Sequence, residues 1–324
     1  MKKIFLSLII LLLSLITAFA SETVFQPTKK TIELIVPYPA GGATDIVGRH
    51  ISNIMNENGW KSIIVNKPGA DTVIGANYVA SATPDGHTLL VSGQNLVANL
   101  AFPKTSPGIE YDQDSFKPII SLGKNSLVLI ISNNSPINSY EEFKEYIKKN
   151  PDKFKIGFWN LNTGKFFLEW AKVEGLPTPT IVNYKGSAPQ IIDVLGGHID
   201  FAFDSFANSQ AYYTDNKLKI IATFDEYGIK QLKDINKNSN AVNIAKKHPE
   251  LEFNIMYGLF APKGTDEKTI KAINEIVNKG LKEKKYQDSF TQAGISDFGG
   301  SAEKLDTLYK KLQSVFKRVA KNSD

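Results

Sequence analysis

The sequence predicts an α/β protein built from two domains. Strand-length apolar runs alternate with stretches of helical periodicity along most of the chain, which favours mixed layers over a bundle or a sandwich. The length, 324 residues, suits about two domains. An apolar share of 42% beside 22% charged residues is ordinary for globular chains that fill such cores.

The chain opens MKKIFLSLIILLLSLITAFASE. Lys2 and Lys3 precede an uncharged run from Ile4 to Ile16, and Ala18-Phe19-Ala20 has the small-x-small spacing of a cleavage site. The run falls short of the ~20 residues a membrane span usually needs. We expect a signal peptide over residues 1–20, cleavage after Ala20, and a flexible leader over 21–30. TIELIVP then reads as a strand. IVGRHISNIMNENG follows as a helix, because Val47, Ile51, Ile54 and Met55 share one face. KSIIVNKPG is a strand entering a Pro-Gly turn, GANYVASATPDG a short helix stopped at Pro84-Asp85-Gly86, and HTLLVSGQN a third strand. This order implies a parallel sheet with right-handed crossovers.

Leu100 to Lys117 reads as irregular, and SLVLIIS, Ser126 to Ser132, as a buried strand. SYEEFKEYIKKNP is a helix, with Ser139 and Glu142 at capping-box spacing and Pro151 just past its end. KIGFWN, TIVNYKG, HIDFAFD and LKIIATF read as strands, with helices at TGKFFLEWAKVEG and SAPQIIDVLGG. Asp225 to Glu250 is polar and fits neither period. NIMYGLFAPKG reads as a strand returning to the first domain. Helices close the chain near 265–280 and 301–320, the last with an apolar face of Leu305, Leu308, Leu312, Val315 and Val319. The expected division is 31–125 plus 253–324 for domain I and 126–252 for domain II.

Composition excludes several classes. The net charge is +5, and two of those charges are the lysines of the expected signal peptide, so no nucleic-acid partner is expected. There is no cysteine, hence no disulfide and no thiol to carry a lipid anchor. The mature chain is expected to be free and monomeric. Neither G-x-S-x-G nor H-E-x-x-H occurs, and His50, His87, His198 and His248 are far apart. DINKNSN imitates the start of a calcium loop, but Ser239 and Ala245 stand where glycine and glutamate are needed. No metal, cofactor or catalytic residue is expected.

VPYPAGGATD, Val36 to Asp45, links the first strand to the first helix. Ligands in open α/β sheets bind beyond the carboxyl ends of strands. Gly41 and Gly42 lack the β-carbons that keep a ligand from the backbone, and they permit positive φ. The first amides of a helix point outward unpaired, which suits an anion. The same residues also describe a tight turn with an N-cap at Thr44 or Asp45. Asp45 either caps its helix or binds a ligand amine or hydroxyl.

The construction recurs at other strand ends: Gln94-Asn95, Asn160 with Asn162 and Thr163, Lys185-Gly186-Ser187, and Asp204-Ser205. Tyr38, Trp159 and Phe206 flank these loops as core residues or as stacking surfaces. One helix terminus contributes only ~0.3–1 kcal/mol at an exposed site. A hydrogen bond to a charged group adds ~1.5–3 kcal/mol, and micromolar binding needs about 8 kcal/mol. A small anion must therefore be gripped from two sides, as two closing domains can do.

VPYPAGGATD, NKPGADTVIGANYVASATPDGHTLL and NYKGSAPQIIDVLGGHIDFAFDS together resemble the solute-binding proteins of tripartite tricarboxylate transporters, the Bug family. The resemblance runs from about Thr31 to the C-terminus, and YGLFAPKGT resembles the return segment. It implies a type II-like periplasmic-binding-protein fold with a ligand cleft between two domains. It implies a periplasmic location, a small organic acid or amino acid ligand, and two integral membrane permease subunits as partners. Carried over by position, Pro39, Ala40, Gly41, Gly42, Thr44 and Asp45 would form the first-domain loop, and Lys185, Gly186, Ser187, Ala188 and Asp204 would act from the second. WNLNTGKFFLEW departs from the family's glycine- and serine-rich turn: Asn160, Asn162 and Lys165 are bulkier, and Lys165 either meets a second carboxylate or lies on the helix surface. The rival expectations are an enzyme on this scaffold, with Asp45 or Asp204 as general base, and a ligand-loaded sensor subunit.

Overall fold

The computed structural model describes residues 25–151, 153–159, 161–184 and 186–323. The expected signal peptide lies outside them. The elements run β1 (Ile32–Val36), α1 (Ala43–Glu57), β2 (Ser62–Asn66), α2 (Val73–Ala80), β3 (Thr88–Gly93), α3 (Asn95–Ala101), β4 (Phe116–Ser132), α4 (Tyr140–Lys149), β5 (Lys155–Phe158), α5 (Leu161–Val173) and β6 (Thr180–Asn183). They continue α6 (Ser187–Leu195), β7 (Phe201–Ser205), α7 (Phe206–Thr214), β8 (Leu218–Thr223), α8 (Glu226–Ile235), β9 (Val242–Asn243), α9 (Ile244–Lys247), β10 (Asn254–Pro262), α10 (Glu267–Leu281), α11 (Lys284–Gln292) and α12 (Ala302–Ser323).

The strands form one curled path, β2-β1-β3-β10-β4-β7-β5-β6, with β8 also on β4 and β9 on β8. β1 pairs parallel with β2 and β3, as the alternating order requires. Ile32, Leu34, Ile35 and Val36 are fully buried, the near-continuous apolar run of a parallel strand covered on both faces. β10 then inserts antiparallel between β3 and β4. Beyond it, β5 pairs parallel with β6 and β7.

β4 belongs to both lobes. Its first part pairs with β10 as far as Ser126, and from Leu127 it pairs with β7. Its side chains alternate with the two-residue strand period: Leu127, Leu129 and Ile131 enter the main core, while Val128 and Ile130 enter a smaller one with Ile191, Val194 and Ile220. An aromatic cluster fills the main core of the second lobe. Phe167 stacks on Phe203 with centroids 3.6 Å apart and on Phe158 at 4.8 Å. Helix α12 buries Leu305, Phe316 and Val319, each contributing ~1.5–3 kcal/mol. It packs on α3 and β4 and reaches across to α5.

Several expectations are corrected. β4 begins at Phe116, ten residues before the expected strand, because Pro118, Gly123, Lys124 and Asn125 interrupt its apolar pattern. Part of the irregular stretch is α3, and the polar stretch after Asp225 forms α8, β9 and α9. Residues 25–30, expected in a flexible leader, are tied to the first lobe at three points, although four of the six are exposed. Phe25 meets Trp60 edge-on at 5.3 Å, the Lys61 amide donates to the Pro27 carbonyl at 2.8 Å, and Lys30 pairs with Asp85.

Candidate functional site

The ends of β1, β3, β5 and β7 converge with the middle of β10 around a cleft of about 300 Å³. Its size is at the lower end of small-molecule sites. From the first lobe come Tyr38 and Pro39 after β1, Ala43 and Thr44 in the first turn of α1, Asp71 ahead of α2, and Gly93, Gln94 and Asn95 after β3. Trp159, Gly186, Ser205 and Asn208 come from the second lobe, and Ile255, Met256 and Tyr257 from β10. The wall is largely polar and aromatic, and Asp71 is the one ionisable acid or base on it among the described residues other than tyrosine.

The N-terminus of α1 is open. Gly42 is its N-cap, with φ −77° and ψ 167°, and no side chain caps it. The first helical amides have no partner within a helix. Because Ala43 and Thr44 line the cleft, the positive end of this 15-residue helix adjoins it. Gly41 holds φ +88°, a conformation that favours glycine.

Asp45 does neither job expected of it. It is 1% exposed and turns back under the loop. The Gly41 amide donates to its Oδ2 at 2.9 Å, Arg49 Nε to the same oxygen at 2.8 Å, and Asn66 Nδ2 to Oδ1 at 2.9 Å. Burial pushes this carboxyl up, but the bonds from Arg49, Gly41 and Asn66 outweigh it and hold the group below its usual range. The Gly41 amide is consequently taken by Asp45. Ala40, Gly41 and Gly42 are exposed and off the cleft lining.

Asp204 is likewise beneath the wall. It is fully buried and accepts from the Ser187 hydroxyl, from the Ser205 amide at 2.6 Å and from Asn208 Nδ2 at 3.2 Å. Burial raises it from its ordinary 3.8 to about 6, against the pull of those three bonds. Ser187 is held by this carboxylate, and Ala188 is exposed on α6, away from the lining. Gln94 is buried and accepts from the Met256 amide at 3.2 Å, while Asn95 donates to Asp71 Oδ1 at 3.0 Å.

The expectations for Asn160 and Lys185 fall outside the described residues. Asn162 and Thr163 lie in the first turn of α5, which starts at Leu161 rather than near Gly164. Lys165 sits over the Phe102 ring of the first lobe at 4.0 Å, so it bridges the lobes instead of lying on an open surface. Phe206 is core, 2% exposed.

Sequence reasoning passed over Ala43, Asp71, Gly93, Asn208, Ile255, Met256 and Tyr257. Ser205, which the sequence offers with Asp204 at a strand end either as a capped turn or as part of a site, does line the cleft. The Pro68-Gly69 turn before Asp71 was a usable signal; the buried strand β10 carried none. Tyr257 is held well above the usual phenol range by burial and then by the Asp204 charge, so it stays a neutral donor.

A family model described as "Tripartite tricarboxylate transporter family receptor" matches residues 47–322. A Pseudomonas sp. (strain P51) protein, "UPF0065 protein in tcbD-tcbE intergenic region", is 28% identical over 288 residues, 87% of this chain and 82% of its own length. A solved structure described as "Structure of a periplasmic transporter" matches with a TM-score of 0.78 at 27% identity, covering 91% of this chain and 98% of that one. Rhodopseudomonas palustris MatC with bound malate matches at 0.75 and 24% identity, over 90% of this chain and 99% of its own; that likeness is one of fold.

Proposed function

Because this chain belongs to the tripartite tricarboxylate transporter receptor family, we propose that it is a periplasmic solute-binding protein that captures a small carboxylate between its lobes and delivers it to a membrane permease. The observation that carries this reading is the uncapped N-terminus of α1 beside an interlobe cleft. A carboxylate there accepts the free amides of the first turn while Thr44, Ser205 and Asn208 supply further polar contacts. Gly186 and Trp159 cover it from the second lobe. Several charge-assisted hydrogen bonds of ~1.5–3 kcal/mol each reach the scale that micromolar capture requires.

We assign the first lobe to residues 31–125 and 253–324 and the second to 126–252, with β4 and β10 as the crossing strands. Residues 1–20 would direct export and be removed after Ala20. Asp204 would suit a general base by its titration near neutrality. Its place behind the wall supports binding over catalysis; there it orients Ser187 and Asn208.

Ala43→Phe places a ring in the cleft at the anion end. Carboxylate binding by isothermal calorimetry is expected to drop at least roughly a hundredfold, with thermal melting unchanged. Undiminished affinity in a normally folded variant would remove the α1 terminus from the site.

A further inference from the structure

The two lobes share one buried acceptor, the carbonyl of Gly294 in the first-lobe loop between α11 and α12. Asn125 Nδ2, from β4, donates to it at 3.0 Å and to the neighbouring Ala293 carbonyl at 3.3 Å. Gln231 Nε2, from α8 of the second lobe, donates to the same Gly294 oxygen at 3.1 Å. Asn125 Oδ1 accepts from the Ala207 amide, in the first turn of α7, at 3.3 Å. We propose that Asn125 and Gln231 are positioning residues for capture: they clasp the lobes at the pivot and hold the ligand-facing turn of α7 at the angle that binding needs.

The placement of Asn125 supports this. It is fully buried and stands two residues before Leu127, where β4 passes from β10 to β7. A buried amide inside a strand is costly unless its polar atoms are paired. Here the Nδ2 end is paired to the first lobe and the Oδ1 end to the second. Gly294 has φ +67°, and a β-carbon on it would lie 3.2 Å from Asn125 Nδ2, 3.3 Å from the Phe206 ring and 3.4 Å from Ala207 Cα. The loop therefore rests directly on the start of α7. Ser205 caps that helix by accepting from the Asn208 amide, and both residues line the cleft. Ala207 lies between them, so its bond to Asn125 ties the ligand wall to the first lobe. Neither Asn125 nor Gln231 is among the lining residues. They act through geometry, because a wall already in place needs less ordering when a ligand binds.

The inference rests on the two-lobe capture reading but not on which acid is taken. The chain has no cysteine, so spin labels at Lys148→Cys in α4 and Lys268→Cys in α10, both exposed, report the interlobe distance without background. A Lys148→Cys, Lys233→Cys pair reports on the second lobe alone. Gln231→Met keeps a similar volume and removes one bond, since Gln231 Oε1 has no partner among the described residues. Double electron–electron resonance on the ligand-free variant is expected to show an interlobe distribution at least roughly half again as wide as the native one, with the second-lobe pair unchanged. Affinity for the tightest binder among malate, succinate, adipate and glutamate is expected to fall roughly fivefold. Asn125→Ala removes three bonds and should widen the distribution further; if it does not fold, Gln231→Met decides alone. An interlobe distribution of native width, or equal widening of both label pairs, overturns the inference whatever the affinity. If the variant widens but none of these acids shifts the native interlobe distance, the clasp stands and closure on a carboxylate falls.

Discussion

Two buried aspartates take opposite titrations for reasons visible in their neighbours. Asp45 has a guanidinium, a backbone amide and a side-chain amide, and stays ionised into acid. Asp204 accepts from three neutral donors, Ser187, the Ser205 amide and Asn208, so burial prevails and its carboxyl rises to about 6. The native state therefore binds this proton more tightly than the unfolded chain does. Its stabilising contribution is full below about pH 4 and is lost as pH rises through about 6. Across that window the loss approaches about 3 kcal/mol. Asp204→Asn keeps an acceptor for Ser205 and Asn208 and carries no charge. Denaturant titrations should show the variant gaining on the native protein between pH 4 and 6, with parallel curves refuting the shift. Position 204 was legible as a strand-end residue. Its withdrawal behind Ser187 and Asn208 was not, because the pattern of a strand gives a side chain's face and not what packs over it. The same holds for Asp45, where the loop was legible and the carboxylate's backward turn depended on Asn66 from another strand.

Among the elements, the contact of β3 with β10 sets the cleft floor. Gly93 faces Tyr257 in register, and a β-carbon there would come within 1.9 Å of the Met256 carbonyl oxygen. That oxygen is backbone and has no rotamer to escape into. Gly93→Ala should cost at least ~1–3 kcal/mol through strand separation and should displace Met256 and Tyr257 from the wall. Urea unfolding and ligand affinity would both fall; native-like values for both would mean that the strands part freely. Elements with unbroken periodicity were readable: β1, β2 and β3, α4 with its Ser139 cap, and α12. The first half of β4 was not. Its strand identity comes from pairing with β10 across more than a hundred residues of sequence, and local propensity at Pro118 and Gly123 argues against it.

At the scale of the molecule, the cleft is a product of topology. Tyr38, Gly186 and Tyr257 are distant in sequence and meet only because strand ends and β10 converge. The glycine-bearing loops that approach it were legible as loops. The wall contributed by β10 was hidden, since a fully buried strand gives no local sign of lining a cavity. Lys165 over Phe102 and α12 against α5 show that the lobes touch away from the cleft as well.

The 17 residues of β4 pair into both halves of the sheet, with two register shifts along the ladder to β10. Neither half can melt while the other keeps its full complement of ladder bonds. Differential scanning calorimetry should accordingly record one endotherm whose van't Hoff and calorimetric enthalpies agree, and two resolved peaks would mean that the shared strand transmits no cooperativity. Residues 126–252 expressed alone would begin at the break in that rail, with Leu127 to Ser132 deprived of the upstream segment that anchors them.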